Sequence, residues 1–307
     1  MLFKLTHRLL SAKYDIIHVV DWPSLIALEI FNFFRKNKKK YIVTLHGTDI
    51  FVLKELLKKY PFLKGIVFQN VLKIHYNSQY TKNLASQEIP FLIEGIPQEV
   101  HYLGVNSIFF KEENLPDIYT KYKIPKNRKI ILSVSRLDKR KGHLDAIEAL
   151  SLLDESIKQD IIYIIIGKKI DDNYFNSVIK KLEKTNIRYL YLGTVDIKDL
   201  IAFYKNSYVF FLPGFLEKNK AEGFGLVYLE AAAQKLPSVA YNIYAIPEVV
   251  KDGETGFLAN YRNISELSQK LKKLLGSSLL RKEMGEKARR WARNFTWEKC
   301  VGNLYSL

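Results

Sequence analysis

Residues 221–241 read AEGFGLVYLEAAAQKLPSVAY. Gly223 and Gly225 flank Phe224 just ahead of an apolar helical stretch over 225–234, and a β-branched run follows at 237–241. A glycine-rich turn, a helix and a buried strand in that order form half of a parallel βαβ unit. The same alternation continues on both sides. Short runs apolar on both faces occupy 15–20, 41–45, 73–77, 99–103, 129–135, 161–166, 188–192 and 207–212, as strands buried in parallel sheets do. Helical stretches over 22–35, 143–153, 173–185, 197–206 and 263–275 lie between them. The chain is therefore expected to be α/β, with helices on both faces of parallel sheets.

Its bulk properties narrow the function. The 307 residues are 48% hydrophobic and 26% charged, a globular mixture that excludes disorder. The length favours two domains. A single cysteine, Cys300, excludes a disulfide framework or a thiolate zinc site and suits a reducing compartment. No apolar run approaches the roughly 18 residues that span a bilayer. The opening MLFKLTHRLLSAKYD lacks the apolar core and cleavage site of a signal peptide, so a cytoplasmic location is expected. The net charge of +16 calls for an anionic partner: nucleic acid, acidic lipid or a phosphorylated small molecule. RKNKKK at 35–40 reads as a solvated helix end whose cations favour the helix C-terminus. Peripheral contact with the anionic inner face of a membrane is the alternative. Nucleic acid is not expected, because the chain has no recognised binding module and no clear basic–aromatic surface.

A boundary is expected within 105–128, where prolines and mixed charge interrupt the pattern. It divides the chain into domains 1–106 and 107–307. The second has enough strands for a complete doubly wound sheet. The first has about four, the earliest opening after a single short helix. Two facing α/β domains would hold a ligand cleft at the carboxyl ends of their strands.

Two motifs give that cleft a chemistry. At the start of the helix over 225–234, the amides of Gly225, Leu226 and Val227 lack intrahelical partners and suit an anion, above all phosphate. Glu230 lies on the same face as Leu226, with its side chain leaning back toward that end. A carboxylate beside phosphate is repelled unless hydroxyl groups donate to it, and a ribose diol offers two. Glu222 precedes the helix and faces whatever extends beyond the phosphates. Both acids also fit the plainer role of helix-start residues favoured by the dipole. The second motif is ILSVSRLDKRKGH at 131–143. Here Arg136 and Lys141 follow a buried strand, where cations can neutralise a pyrophosphate.

Together these stretches resemble glycosyltransferase family 4, the retaining, nucleotide-sugar-dependent transferases of GT-B fold. Glu222 and Glu230 fit its E-x7-E motif, and SRLDKRKGH fits its Arg…Lys-Gly element. IPEVVKDGETGFLA at 246–259, YIVTLHGTDI at 41–50, HYNSQYTKNLA at 75–85 and HYLGVNSIFF at 101–110 fit further elements in the family's order. FTWEKCVGNLYSL at 295–307 resembles the terminal helix, placed at 296–307, that crosses back onto the first domain. The resemblance implies two facing Rossmann-like domains with parallel sheets, the N-terminal one incomplete. It implies that Glu230 holds the ribose, and that Arg136 and Lys141 bind the diphosphate and stabilise the leaving group. Glu222 would lie by the donor sugar, with the amides of Phe224, Gly225 and Leu226 around sugar and distal phosphate, and His46 would reach the sugar across the cleft. The family usually works without a bound metal. No D-x-D site is present, so neither metal nor cofactor is expected beyond the nucleotide-sugar donor. His18 is read as a packed histidine.

Three departures stand out. The strands and glycine-rich loop that precede DIIH in the family are missing, through a late reading frame or a natural short form. Tyr244-Ala245 stand where the family often has glycine, and a side chain there would narrow the loop beside the donor. Lys235 replaces a common glycine at a helix end. The expected function is hexosyl transfer, with retention, from a nucleoside diphosphate sugar to a glycan or lipid-linked acceptor. A catalytically impaired homologue that only binds the nucleotide sugar is the alternative.

Overall fold

The structure is a computed structural model in which residues 14–112, 114–302, 304 and 305 are described. The short helix read ahead of the first strand, most of the segment read for a signal peptide, and part of the terminal helix at 296–307 lie outside them. The chain forms two compact units. One comprises residues up to Tyr102 together with Lys218–Phe224; the other comprises Leu103–Glu217 and the chain from Gly225 onward. The sequence reading had assigned 218–224 to the second domain.

The first unit carries a four-stranded parallel sheet: β1 (His18–Val19), β2 (Tyr41–Leu45), β3 (Val71–Tyr76) and β4 (Gln98–Val100), in that order. The second carries six parallel strands: β5 (Lys129–Val134), β6 (Ile161–Ile166), β7 (Tyr189–Tyr191), β8 (Val209–Phe211), β9 (Ser238–Tyr241) and β10 (Gly256–Ala259). Their order is β10-β9-β8-β5-β6-β7. Every residue of β2 and β6 is buried. This explains their continuous apolar runs, since a parallel strand is covered on both faces. Strand β10 was not anticipated. Its four residues, GFLA, are too short to set a period, and its edge position needs no long apolar run.

Helix ends follow local chemistry. Asp171 caps the helix Asp172–Glu183 by accepting the amides of Asn173 at 2.8 Å and Tyr174 at 3.1 Å. Asp196 caps Ile197–Asn206 through the Asp199 amide at 3.0 Å. Each such cap typically stabilises by about 1 kcal/mol. The terminal helix Trp297–Val301 starts against the second unit's own backbone, where Val105 bridges Thr296 and a Cβ at Gly104 would overlap Trp297.

Candidate functional site

The strand order of the second unit identifies its ligand edge. From β5 the chain crosses to β6 on one side, and from β8 it crosses to β9 on the other, while β5 and β8 are neighbours. Oppositely directed crossovers leave a crevice at the carboxyl ends of those two strands. The loop after β5 carries Arg136 and Lys141. The chain leaving β8 leads, through 212–225, to the helix Leu226–Ala233. The two loops meet: the Phe215 amide donates to the Arg140 carbonyl at 2.8 Å and the Gly214 amide to the Lys141 carbonyl at 3.3 Å. Gly142 has φ 72°, and a Cβ there would overlap the Gly214 carbonyl. Glycine at this position is therefore needed for loop-to-loop contact.

Arg136 extends into solvent with its side chain 59% exposed, and Asp138 approaches it only to 4.0 Å. Lys141 is half-buried and ends the 3-10 turn Lys139–Lys141. Beneath them His143 is fully buried, its Nε2 3.2 Å from Ser135 Oγ and its amide donating to the Tyr174 hydroxyl at 3.1 Å. Burial pushes the imidazole down to about 3, so it is neutral packing under a cationic loop.

Gly225 begins the helix Leu226–Ala233 in the left-handed region at φ 88°, and no side chain caps that end. The Tyr228 hydroxyl ties the first turn to the Leu212 carbonyl at 2.6 Å. One turn further on, Glu230 Oε2 accepts the hydroxyl of buried Tyr204 at 2.9 Å. Burial raises the Glu230 pKa and the Tyr204 bond opposes the rise. The second unit thus carries Arg136 and Lys141 on the loop after β5, and an uncapped start at Gly225, Leu226 and Val227 with the oriented carboxylate of Glu230 on the helix reached from β8. Tyr204 escaped sequence reading because nothing in its local pattern pairs it with a residue 26 positions away.

In the first unit, His46 follows β2 and its amide donates to both carboxylate oxygens of buried Asp49, at 3.0 and 2.9 Å. Its Nδ1 faces Asn77 Nδ2 at 3.3 Å. The segment bearing Glu222 packs here. Thr48 Oγ1 donates to the Ala221 carbonyl and accepts the Ala221 amide, both at 3.2 Å. A Cβ at Gly223 would overlap the His46 carbonyl and crowd Asn77, so the missing side chain there makes room for protein backbone. Phe224 is buried and stacks on Tyr102 with centroids 5.6 Å apart. Glu222 stays half-exposed. The structure thus brings His46 and the Glu222 segment together within the first unit. In the second, the loop of the cations meets the chain after β8 at Gly214 and Phe215, and Glu230 lies in the helix that this chain leads to.

Tyr244 sits in the left-handed region at φ 54°. Its hydroxyl accepts the Glu217 amide at 2.9 Å and donates to the Phe215 carbonyl at 3.2 Å, bracing the loop that follows β8.

Residues 116–291 match the family described as Glycosyl transferases group 1. The chain belongs to this family. It is 28% identical over 269 residues to an uncharacterized glycosyltransferase of Methanocaldococcus jannaschii, covering 87% of this chain and 68% of that protein. It is 24% identical over 298 residues to the N-acetyl-alpha-D-glucosaminyl L-malate synthase of Bacillus anthracis, covering 95% and 74%. Anabaena HepE, solved in complex with UDP and glucose, superposes with a TM-score of 0.80 at 19% identity, over 100% of this chain and 81% of that one. The fold is the GT-B type of glycosyltransferases, α/β with two parallel sheets. Among the described residues, no helix is long and apolar enough to cross a membrane.

Proposed function

We propose that this family member transfers a hexosyl unit from a nucleoside diphosphate sugar to an acceptor hydroxyl with retention of configuration. The observation that carries the reading is the crevice at the ends of β5 and β8, where the loop bearing Arg136 and Lys141 meets the chain at Gly214 and Phe215 that runs on to an uncapped helix start, with Glu230 one turn into that helix. Cations and open amides suit a diphosphate. A carboxylate oriented by Tyr204 suits the ribose hydroxyls. HepE was solved with UDP and glucose, which supports a donor of this class. By the family resemblance, Glu222 and His46 are assigned to the donor sugar's hydroxyls.

In this reading the bond between the anomeric carbon and the phosphate oxygen breaks with its electron pair leaving on the diphosphate. Arg136 and Lys141 stabilise that growing charge, which is electrostatic catalysis in a partly dehydrated site. The acceptor oxygen bonds to the anomeric carbon on the same face, and a donor phosphate oxygen takes its proton. The cations take the place of a metal at the diphosphate. The acceptor is a glycan or a lipid-linked sugar, reached by peripheral contact with an anionic membrane from the cytoplasmic side.

A thermal-shift panel of UDP, GDP, ADP and their sugars tests the donor. A ligand at one hundred times its dissociation constant stabilises by about 2.7 kcal/mol. One nucleotide class should stand out, and its sugar should be consumed with a suitable acceptor in the presence of EDTA. No shift with any nucleotide would sink the reading. Binding without transfer or hydrolysis would mark a catalytically impaired homologue.

A further inference from the structure

The first sheet carries polar residues that the proposed transfer does not use. Parallel register sets Thr44 of β2 beside His75 of β3, and His75 beside Glu99 of β4. His101, one residue past β4, continues the ladder by donating its amide to the Tyr76 carbonyl at 2.9 Å. Strand periodicity of two puts Lys73 and His75 on one face, and Glu99 and His101 on the same face of the neighbouring chain. Three of these side chains converge: one ligating atom from each of His75, Glu99 and His101 lies within 4.8 Å of the others.

We propose that His75, Glu99 and His101 form a binding site for a borderline divalent cation of the zinc class. Glu99 is held for the purpose. Its Oε1 accepts Lys73 Nζ at 2.9 Å, which leaves Oε2 facing both imidazoles, 2.9 Å from His101 Nε2 and 3.8 Å from His75 Nε2. A tetrahedral zinc ion with bonds of about 2.0–2.2 Å needs ligand atoms about 3.3–3.6 Å apart. The two observed spacings bracket that separation.

An ion-pair chain accounts for Lys73, Glu99 and His101, but not for His75. That side chain is fully buried, and neither ring nitrogen has a hydrogen-bond partner. A buried imidazole with an unmet lone pair is disfavoured unless something ligates it. His18 completes the surroundings without joining the set. Its ring lies 6.1 Å from that of His75, and its Nε2 is paired with Thr44 Oγ1 at 2.7 Å. Two imidazoles and one carboxylate suit zinc, cobalt or nickel rather than magnesium or calcium, which prefer all-oxygen sets. A fourth position stays open to water.

The test titrates the whole chain, stripped by chelator, with Co2+ and Zn2+ under calorimetry and visible absorption. The expected result is one Co2+ per chain with a tetrahedral visible band, displaced by Zn2+ and untouched by excess Mg2+. His75→Ala and His101→Ala should each weaken binding by at least about tenfold, and Glu99→Gln should act likewise, while His18→Ala should not. Zinc should raise the melting temperature of wild type but not of the histidine variants. His101 is the more accessible histidine, so its variant carries the test if His75→Ala does not fold. Binding that survives either His75→Ala or His101→Ala in folded protein would overturn the proposal, as would absent or non-stoichiometric binding. Nucleotide binding in chelator is measured in parallel. It belongs to the donor reading, so either conclusion can fail alone.

Discussion

Glu230 is pushed toward its neutral form by burial and drawn back by the Tyr204 hydroxyl. If it accepts ribose hydroxyls, the ionised form is the one that binds. Glu230→Gln should then weaken a nucleoside diphosphate by about 1.5–3 kcal/mol, the difference a charge-assisted hydrogen bond makes, with the fold intact. The sign of the pH effect follows. The folded pKa lies above 4.5, so wild-type affinity should fall as pH drops through that raised value, and the glutamine variant should lack this component. Calorimetry across pH reads both, and unchanged affinity in the variant would end the ribose role. In the proposed transfer, Arg136 belongs to the other half of the chemistry. Its guanidinium stands in solvent, ready for charge that grows as the glycosidic bond breaks. An interaction stronger in the transition state lowers the barrier, whereas one equal in both states does not. Arg136→Ala should therefore cost about 10²–10³ in turnover and less in the Michaelis constant. Lys141→Ala should act in the same direction, and the double variant should cost less than the product of the singles, because both serve one charge. Initial rates against donor concentration decide it. A raised Michaelis constant with intact turnover would make Arg136 a binding residue only.

At the scale of elements, the strands were legible where burial on both faces leaves an unbroken apolar signature, as in KIILSV and IIYIII. The edge strand β10 left no such trace. Arg136, Lys141 and Glu230 could be named as candidates because each sits at a fixed distance from a buried element. Tyr204, the partners of the Tyr244 hydroxyl and the His75 cluster could not be named, since they pair residues from distant parts of the chain. Lys235 was read as standing in for a glycine at a helix end, and its backbone bears the mark, with φ 59°. The Lys235 amide donates to the Ala232 carbonyl and the Leu236 amide to the Ala231 carbonyl, both at 3.0 Å. This is the Schellman arrangement that favours glycine. A side chain in the left-handed region costs roughly 1–2 kcal/mol, and the greater freedom of unfolded glycine returns about 0.5–1 of that. The exposed Lys235–Glu286 pair at 2.8 Å adds little. Lys235→Gly should therefore raise the urea midpoint by the equivalent of about 0.5–1 kcal/mol, and a lowered midpoint would show that the pair or the lysine stem matters more than the backbone.

At the scale of the whole molecule, the net charge of +16 is paired with an apolar surface on the first unit. The helix Trp22–Phe33 and the segment after Pro61 enclose a recess of about 200 Å³ lined by Ile26, Ile30, Phe33, Phe34, Phe62 and Ile66. Phe34 is 80% exposed and Phe62 68%, more than burial energetics would leave uncovered on a small patch. Arg35, Lys36, Lys38, Lys39 and Lys40 follow the helix directly, and Lys64 lies 5.2 Å from the ring centre of Phe91. Aromatic side chains rimmed by cations match the boundary of an anionic bilayer, where rings enter the headgroup layer and each cation contributes about 1 kcal/mol. The two contributions separate by salt, since screening weakens the charge term and spares the apolar one. The protein should float with vesicles rich in phosphatidylglycerol and not with neutral phosphatidylcholine vesicles. Changing Lys36, Lys38, Lys39 and Lys40 to glutamine should remove the preference for anionic lipid. Phe34→Ser with Phe62→Ser should leave weak binding that salt dissociates. Flotation equal on both vesicle types, or absent from both, would leave the exposed phenylalanines without a lipid role and return the excess charge to solubility and to the donor's phosphates.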